Sequence, residues 1–119
     1  MATKHTSEVL FKVHLDENRI PETIEWSAQD GGITNAEAKA FLVSVWDSAS
    51  NETLKMDLWT KDMPLQDMKM FFYQTFLSLS DTFYKATQDD KMTATIKDFA
   101  QYFAEKMELI DDKNDEQKS

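Results

Sequence analysis

The residues of this chain that could take part in chemistry are few and scattered. It has two histidines: His5 lies in a polar N-terminal stretch, and His14 takes a polar position in an alternating segment. If His14 were a catalytic base, it would therefore have to act without a second histidine beside it. The chain has no cysteine, which excludes disulfides, zinc–thiolate sites and thiol nucleophiles. We interpret His14 as structural or incidental.

Two further features could hold a ligand. Asp57 and Asp62 flank Trp59 and could share a cation, although Asp62 is also placed to cap the helix that follows. The pair Gly31-Gly32 could admit a ligand close to the backbone, but its surroundings fit neither G-x-G-x-x-G nor the P-loop. We interpret the pair as a sharp turn. The sequence thus predicts no catalytic, cofactor-binding or metal-binding residue.

Composition and charge restrict the classes of partner. The net charge is −9, and Arg19 is the one arginine. Nucleic-acid binding and attachment to anionic membranes both need a basic surface, so we expect neither. No apolar run approaches the roughly 20 residues of a membrane span, and the N-terminus lacks the apolar core of a signal peptide. We expect no membrane insertion and a cytoplasmic location.

Four stretches alternate between apolar and polar residues, which is typical of strands with one buried face. They cover residues 8–15, 20–27, 38–46 and 53–60. Short polar turns separate the first strand from the second and the third from the fourth, so each pair is expected to form an antiparallel hairpin. Residues 28–35, between the hairpins, are predicted to be a loop.

Two helices follow the strands. Leu65, Met68, Phe72 and Phe76 begin an apolar stripe that predicts a helix over roughly residues 64–87. No residue between Lys69 and Asp81 is charged, which favours cover on more than one side, either inside the domain or against another chain. A second, more amphipathic stripe predicts a helix over roughly residues 92–110.

The order of elements predicts an α+β fold: a four-stranded antiparallel sheet of two hairpins, followed by two C-terminal helices packed on one face. We expect a single domain over residues 8–110, a disordered N-terminus over 1–7 and a disordered acidic tail over 111–119.

One candidate partner surface emerges from the strand pattern. Trp59 alternates against Leu54, Met56 and Leu58, so it should lie on the opposite sheet face unless it wedges under the first helix. The candidate surface consists of Phe41, Val43, Val45 and Trp59. Together these side chains would form an apolar patch of the kind that binds protein partners, with the tryptophan as its anchor.

Four separated blocks of the sequence resemble the gliding-motility protein GldC family of Bacteroidetes. The blocks are residues 26–32, 57–64, 81–89 and 98–106, within a similarity that covers roughly residues 7–109. The resemblance implies a cytoplasmic accessory protein of the gliding machinery. It transfers no catalytic residue to this chain.

The sequence is compatible with three functions. The first is a non-enzymatic adaptor that binds a protein of the motility or export machinery. The second is a secretion chaperone similar to SecB, by analogy of four strands followed by two helices, which would form a homo-oligomer. The third is a small-ligand binder or enzyme, resting on Asp57, Asp62 and the glycine loop.

Overall fold

A computed structural model describes residues 4–110. It contains five strands, one short 3-10 helix and two α-helices, so the α+β class is confirmed. The strands are β1 (Val9–Leu15), β2 (Pro21–Ala28), β3 (Ile33–Ala38), β4 (Ala40–Asp47) and β5 (Glu52–Trp59). The helices are α1 (Leu65–Thr87) and α2 (Asp90–Lys106). The chain divides into two compact units, residues 1–63 and 64–119, and the predicted tail over 111–119 lies outside the described residues.

The prediction of one four-stranded sheet is wrong. β1, β2 and β3 form an antiparallel three-stranded sheet, and β4 and β5 form a separate two-stranded antiparallel ribbon. The predicted loop over 28–35 holds only the turn, Gln29–Gly31 with Gly32 at φ 70°, and a strand begins at Ile33. That strand, Ile-Thr-Asn-Ala-Glu-Ala, has weak β-propensity. It forms because it pairs with β2, where Trp26 lies opposite Ala36.

The three-stranded sheet has one apolar and one polar face. Phe11 lies opposite Trp26 with their rings 6.2 Å apart, and Val13 lies opposite the fully buried Ile24. Lys12 and Glu25 share the other face, as cross-strand partners must. The predicted pairing of the first two strands is therefore confirmed.

The two helices form an antiparallel hairpin. α1 begins one residue after its predicted start and ends at Thr87, as predicted; Gln88, its C-cap residue, takes a left-handed conformation. α2 begins two residues before its predicted start, because the Asp89 side chain accepts a hydrogen bond from the Met92 N–H at 2.9 Å. It ends at Lys106 rather than at 110, and Glu108 follows with φ 58°.

Small side chains let the two helices approach closely. Ser80 on α1 and both Ala100 and Ala104 on α2 are completely buried. Beside them, Phe76 packs edge-on against Phe99 and Phe103, with ring centres 5.2 and 5.1 Å apart. The hairpin therefore has its own apolar seam. The packing of the helices on a sheet face stays a prediction.

Candidate protein-binding surface

The ribbon of β4 and β5 carries the four residues predicted to form a partner surface, but its pairing separates them. Cross-strand partners share a face of the ribbon. One face, the phenylalanine face, carries Phe41, Val43, Val45, Leu54, Met56 and Leu58. The opposite face, the tryptophan face, carries Ala40, Leu42, Trp46 and Trp59. Trp59 therefore does not share a face with the other three predicted residues, and the predicted single patch is corrected to two.

Phe41 is a core residue rather than a surface one. Only 7% of it is exposed, and its ring centre lies 4.9 Å from that of Phe11 on β1. Phe11 in turn stacks on Trp26. This chain of three rings joins the base of the ribbon to the three-stranded sheet, within the first unit.

The exposed apolar residues lie farther along the ribbon. On the phenylalanine face Val43 is half-buried and Val45 is 53% exposed, opposite an exposed Leu54. On the tryptophan face Trp59 is 55% exposed and Trp46 is 64% exposed. The alternation along each strand does not by itself connect Trp46 with Trp59. The hairpin register places both on the same face: Trp59 lies opposite Ala40, and Ala40 shares its face of β4 with Trp46, six residues later.

The base of the ribbon is fixed by ion pairs. Lys61 after β5 reaches Asp16 at 3.0 Å and Glu22 at 3.4 Å. Asp16 also accepts hydrogen bonds from the N–H groups of Ile20 and Asn18, at 3.0 and 2.8 Å. The Ile20 N–H and the Lys61 ammonium hold the pKa of the Asp16 carboxyl below its ordinary value, and the two carboxylates raise the pKa of Lys61. These bonds stabilise the β1–β2 turn against the end of β5.

Asp62 does not cap α1, contrary to the prediction. Its carboxylate accepts hydrogen bonds from Lys39 at 2.8 Å and from the Thr60 hydroxyl at 2.6 Å. Both bonds lower the pKa of Asp62, and the same ion pair raises the pKa of Lys39. Pro64 is the N-cap residue of α1, without a side-chain hydrogen bond.

The residues with potential chemistry are already partnered. Asp57 pairs with Lys55, whereas Asp62 pairs with Lys39, so neither carboxylate is free for a shared cation. His14 lies 3.6 Å from Glu25, and both side chains are well exposed. Within residues 4–110, no three histidine or carboxylate side chains are grouped to hold a metal ion.

A surface cleft of about 490 Å³ lies between the end of α1 and the start of α2. It is lined in part by Asp81, Lys97 and Thr93, and the first two form an ion pair at 3.9 Å. The Thr93 hydroxyl is buried and has no hydrogen-bond partner among the described residues. No helix in the described part of the chain has the length and apolar character needed to cross a membrane.

Comparison with known proteins gives one match. The family model described as "Gliding motility-associated protein GldC-like" matches residues 21–109, which include every described element from β2 onward. No curated protein matches, and no solved structure does either. Because the matched region spans most of the chain, the resemblance seen in the sequence is confirmed, and the chain belongs to the GldC-like family of gliding motility-associated proteins.

Proposed function

We propose that this chain is a non-enzymatic accessory protein of the cytoplasmic side of the gliding machinery, and that it acts by binding another protein through the ribbon. The observation that carries the proposal is the exposure of large apolar side chains on both ribbon faces. Trp46 and Trp59 are exposed on the tryptophan face, and Val45, Leu54 and Met56 are exposed on the phenylalanine face.

Beyond its base, where Phe41 packs on Phe11, the ribbon is poorly supported by its own two strands. A two-stranded hairpin is at best marginally stable in water and needs a third strand or a packed layer. Among the described elements, β4 and β5 pair only with each other. A bound protein that covers the exposed apolar side chains would supply this missing layer.

The two tryptophans are the expected anchors of such a contact. Tryptophan is enriched among the few residues that dominate binding energy, because it buries a large area with little loss of side-chain freedom. Half of a tryptophan side chain corresponds to roughly 100 Å². Trp46 and Trp59, each more than half exposed, would therefore cover a useful fraction of the roughly 800 Å² that a partner typically buries on one side.

The net charge of −9 indicates the character of the partner's surface. Glu52 and Asp57 on β5 lie close to the exposed apolar residues, with Lys55 between them. A partner with basic residues around an apolar centre would bind faster and more selectively than an acidic one.

Complementation of a gliding bacterium tests the proposal. A strain that lacks the gene would receive Trp59→Ala or Val45→Asp, with Lys55→Ala as the control on the same ribbon. We expect both test variants to accumulate to the wild-type level and to fail to restore colony spreading, whereas the control restores it. Full spreading by both test variants at normal abundance would overturn the proposal.

The exposed apolar side chains also suit a chaperone that holds unfolded clients, which is the alternative function. Its architectural support is weaker than the sequence indicated, because five strands in two sheets replace the single four-stranded sheet of the analogy. The alternative is tested with purified protein: a chaperone would slow the aggregation of a chemically denatured client at equimolar concentration. An adaptor specific for one partner would leave that aggregation rate unchanged.

A further inference from the structure

β4 has one free edge within the part of the chain that the structure describes. Its only partner there is β5, on the other edge. The Thr60 N–H donates to the Lys39 carbonyl at 2.8 Å, so the backbone groups of Lys39 point toward β5. Because successive residues of a strand point alternately to its two edges, the N–H and C=O groups of Ala40, Leu42, Ser44 and Trp46 point to the free edge.

This edge lacks the features that usually prevent strands from pairing. Natural edge strands are protected by charged residues, prolines or bulges. The other strands at a sheet edge carry charges: Lys12 on β1, Glu37 on β3, and Lys55 with Asp57 on β5. β4 reads Ala-Phe-Leu-Val-Ser-Val-Trp without a charge, proline or glycine before Asp47.

We propose that the free edge of β4 pairs with β4 of a second copy of this chain, antiparallel and around a two-fold axis. The product is a continuous four-stranded sheet with the order β5-β4-β4-β5. Two ribbons that are individually too small then reach the strand number of an independently stable sheet. The proposal goes beyond the partner contact proposed above, because it uses the backbone edge and leaves the tryptophan face uncovered.

The pattern of side chains selects the register of this pairing. A two-fold axis perpendicular to the sheet keeps the phenylalanine faces of both ribbons on the same side, so each residue lies opposite one of the same face. With Val43 at the axis, Phe41 lies opposite Val45, and Asp47 lies opposite Lys39 of the second copy. This arrangement places the Asp47 carboxylate beside the Lys39 ammonium at both ends of the paired segment. In its own chain Asp47 accepts hydrogen bonds from Ser50, and Lys39 donates one to Asp62. An ammonium carries three donors, so Lys39 can bind a second carboxylate.

The neighbouring register, with Ser44 at the axis, is less favourable. It would place the Asp47 carboxylate opposite Phe41, which is 7% exposed. A carboxylate opposite a buried ring loses hydration and gains no opposite charge to compensate. In the Val43 register Asp47, at the end of β4, lies opposite Lys39, just before β4. This complementarity favours a second copy as the occupant of the edge, in a chain whose net charge of −9 opposes association elsewhere.

The absence of cysteine makes a direct test available, because any introduced thiol is the only one in the chain. In the Val43 register, the two Val43 residues form a non-hydrogen-bonded pair with Cα atoms about 4.5 Å apart, within the range that a disulfide spans. We expect Val43→Cys to form a disulfide-linked dimer under mild oxidation, seen on a non-reducing gel. Lys55→Cys on β5 is the control and should stay monomeric.

Proline substitution tests the edge itself. Leu42→Pro removes an N–H that points to the second copy, whereas Val43→Pro removes one that bonds within the ribbon. Light scattering should give twice the chain mass for the wild type and the single-chain mass for Leu42→Pro, with an unchanged circular dichroism spectrum. Val43→Pro should change the spectrum as well.

Two results would overturn the proposal. A single-chain mass for the purified wild type at high protein concentration would show that the edge does not pair with a second copy. Cross-linking of Val43→Cys no faster than that of Lys55→Cys would exclude pairing at this register even if the protein is dimeric. The cross-linking result stands on its own should Leu42→Pro fail to fold.

Discussion

Replacement of Phe41 tests whether this residue is part of the core or of a partner surface. Its ring is buried and lies 4.9 Å from Phe11. Removal of a buried phenylalanine side chain costs about 3–5 kcal/mol, including the cavity that it leaves. Val45→Ala, on the same ribbon face but half exposed, should cost less than about 1 kcal/mol, because only part of the lost methyl area was removed from water. The free energy of unfolding should therefore separate the two residues clearly.

Urea unfolding followed by tryptophan fluorescence measures this difference. All three tryptophans, at positions 26, 46 and 59, lie in the unit of residues 1–63, so their emission reports on the sheet and the ribbon. With a slope of about 1.5 kcal/mol per molar urea, the loss for Phe41→Ala lowers the midpoint by about 2–3 M. Phe41→Leu, with an expected loss of about 1–2 kcal/mol, keeps the test usable if the alanine variant is unfolded in water. Equal midpoints for Phe41→Ala and Val45→Ala would refute the placement of Phe41 between the ribbon and β1.

Three further predictions concern the helices and the ion pairs. Ala100→Leu should destabilise the helical hairpin by about 1–3 kcal/mol, because a larger side chain cannot fit where the helices meet. Circular dichroism should show a lower thermal midpoint, and an unchanged midpoint would contradict the close approach of the helices. Thr93→Val should be neutral or slightly stabilising in the same assay, because its buried hydroxyl has no partner in the described chain, and a loss above about 1 kcal/mol would show that the hydroxyl is bonded after all. Asp16→Asn should lower stability at neutral pH, since the Asp16 carboxylate is stabilised by the Ile20 N–H and by Lys61. Because the folded-state pKa of Asp16 lies below the ordinary 3.8, the difference from wild type should be full above that pH and shrink as pH falls through the lowered pKa; a difference that shrinks near neutral pH would assign it to another group.

Local patterns predicted the elements whose side chains repeat regularly. The alternation from Val9 to Leu15 and the stripe from Leu65 to Phe83 are strong signals, and the structure places β1 and α1 there. β3 was missed because its alanine, asparagine and glutamate residues have no strand signal of their own. Its conformation depends on the non-local pairing with β2, which a linear pattern does not contain.

The candidate surface was predicted only in part for a similar reason. Alternation predicts which residues of one strand share a face. Which residues of β4 share a face with which residues of β5 depends on the register, which pairs Phe41 with Leu58 and Ala40 with Trp59. That register separates Trp59 from Phe41. The burial of Phe41 is also non-local, because it depends on Phe11, thirty positions earlier in the chain. The role of these residues in binding stays a prediction.

The most direct test of the binding surface is site-specific photo-cross-linking in gliding cells. A photoreactive aromatic amino acid would replace Trp59 on the tryptophan face, and the same group at Thr95, exposed on α2, would serve as the control. We expect one dominant protein adduct from position 59, of a mass different from that of a homodimer, and none from position 95. The absence of an adduct from position 59, or the same adducts from both positions, would contradict the proposal that the ribbon binds a specific protein.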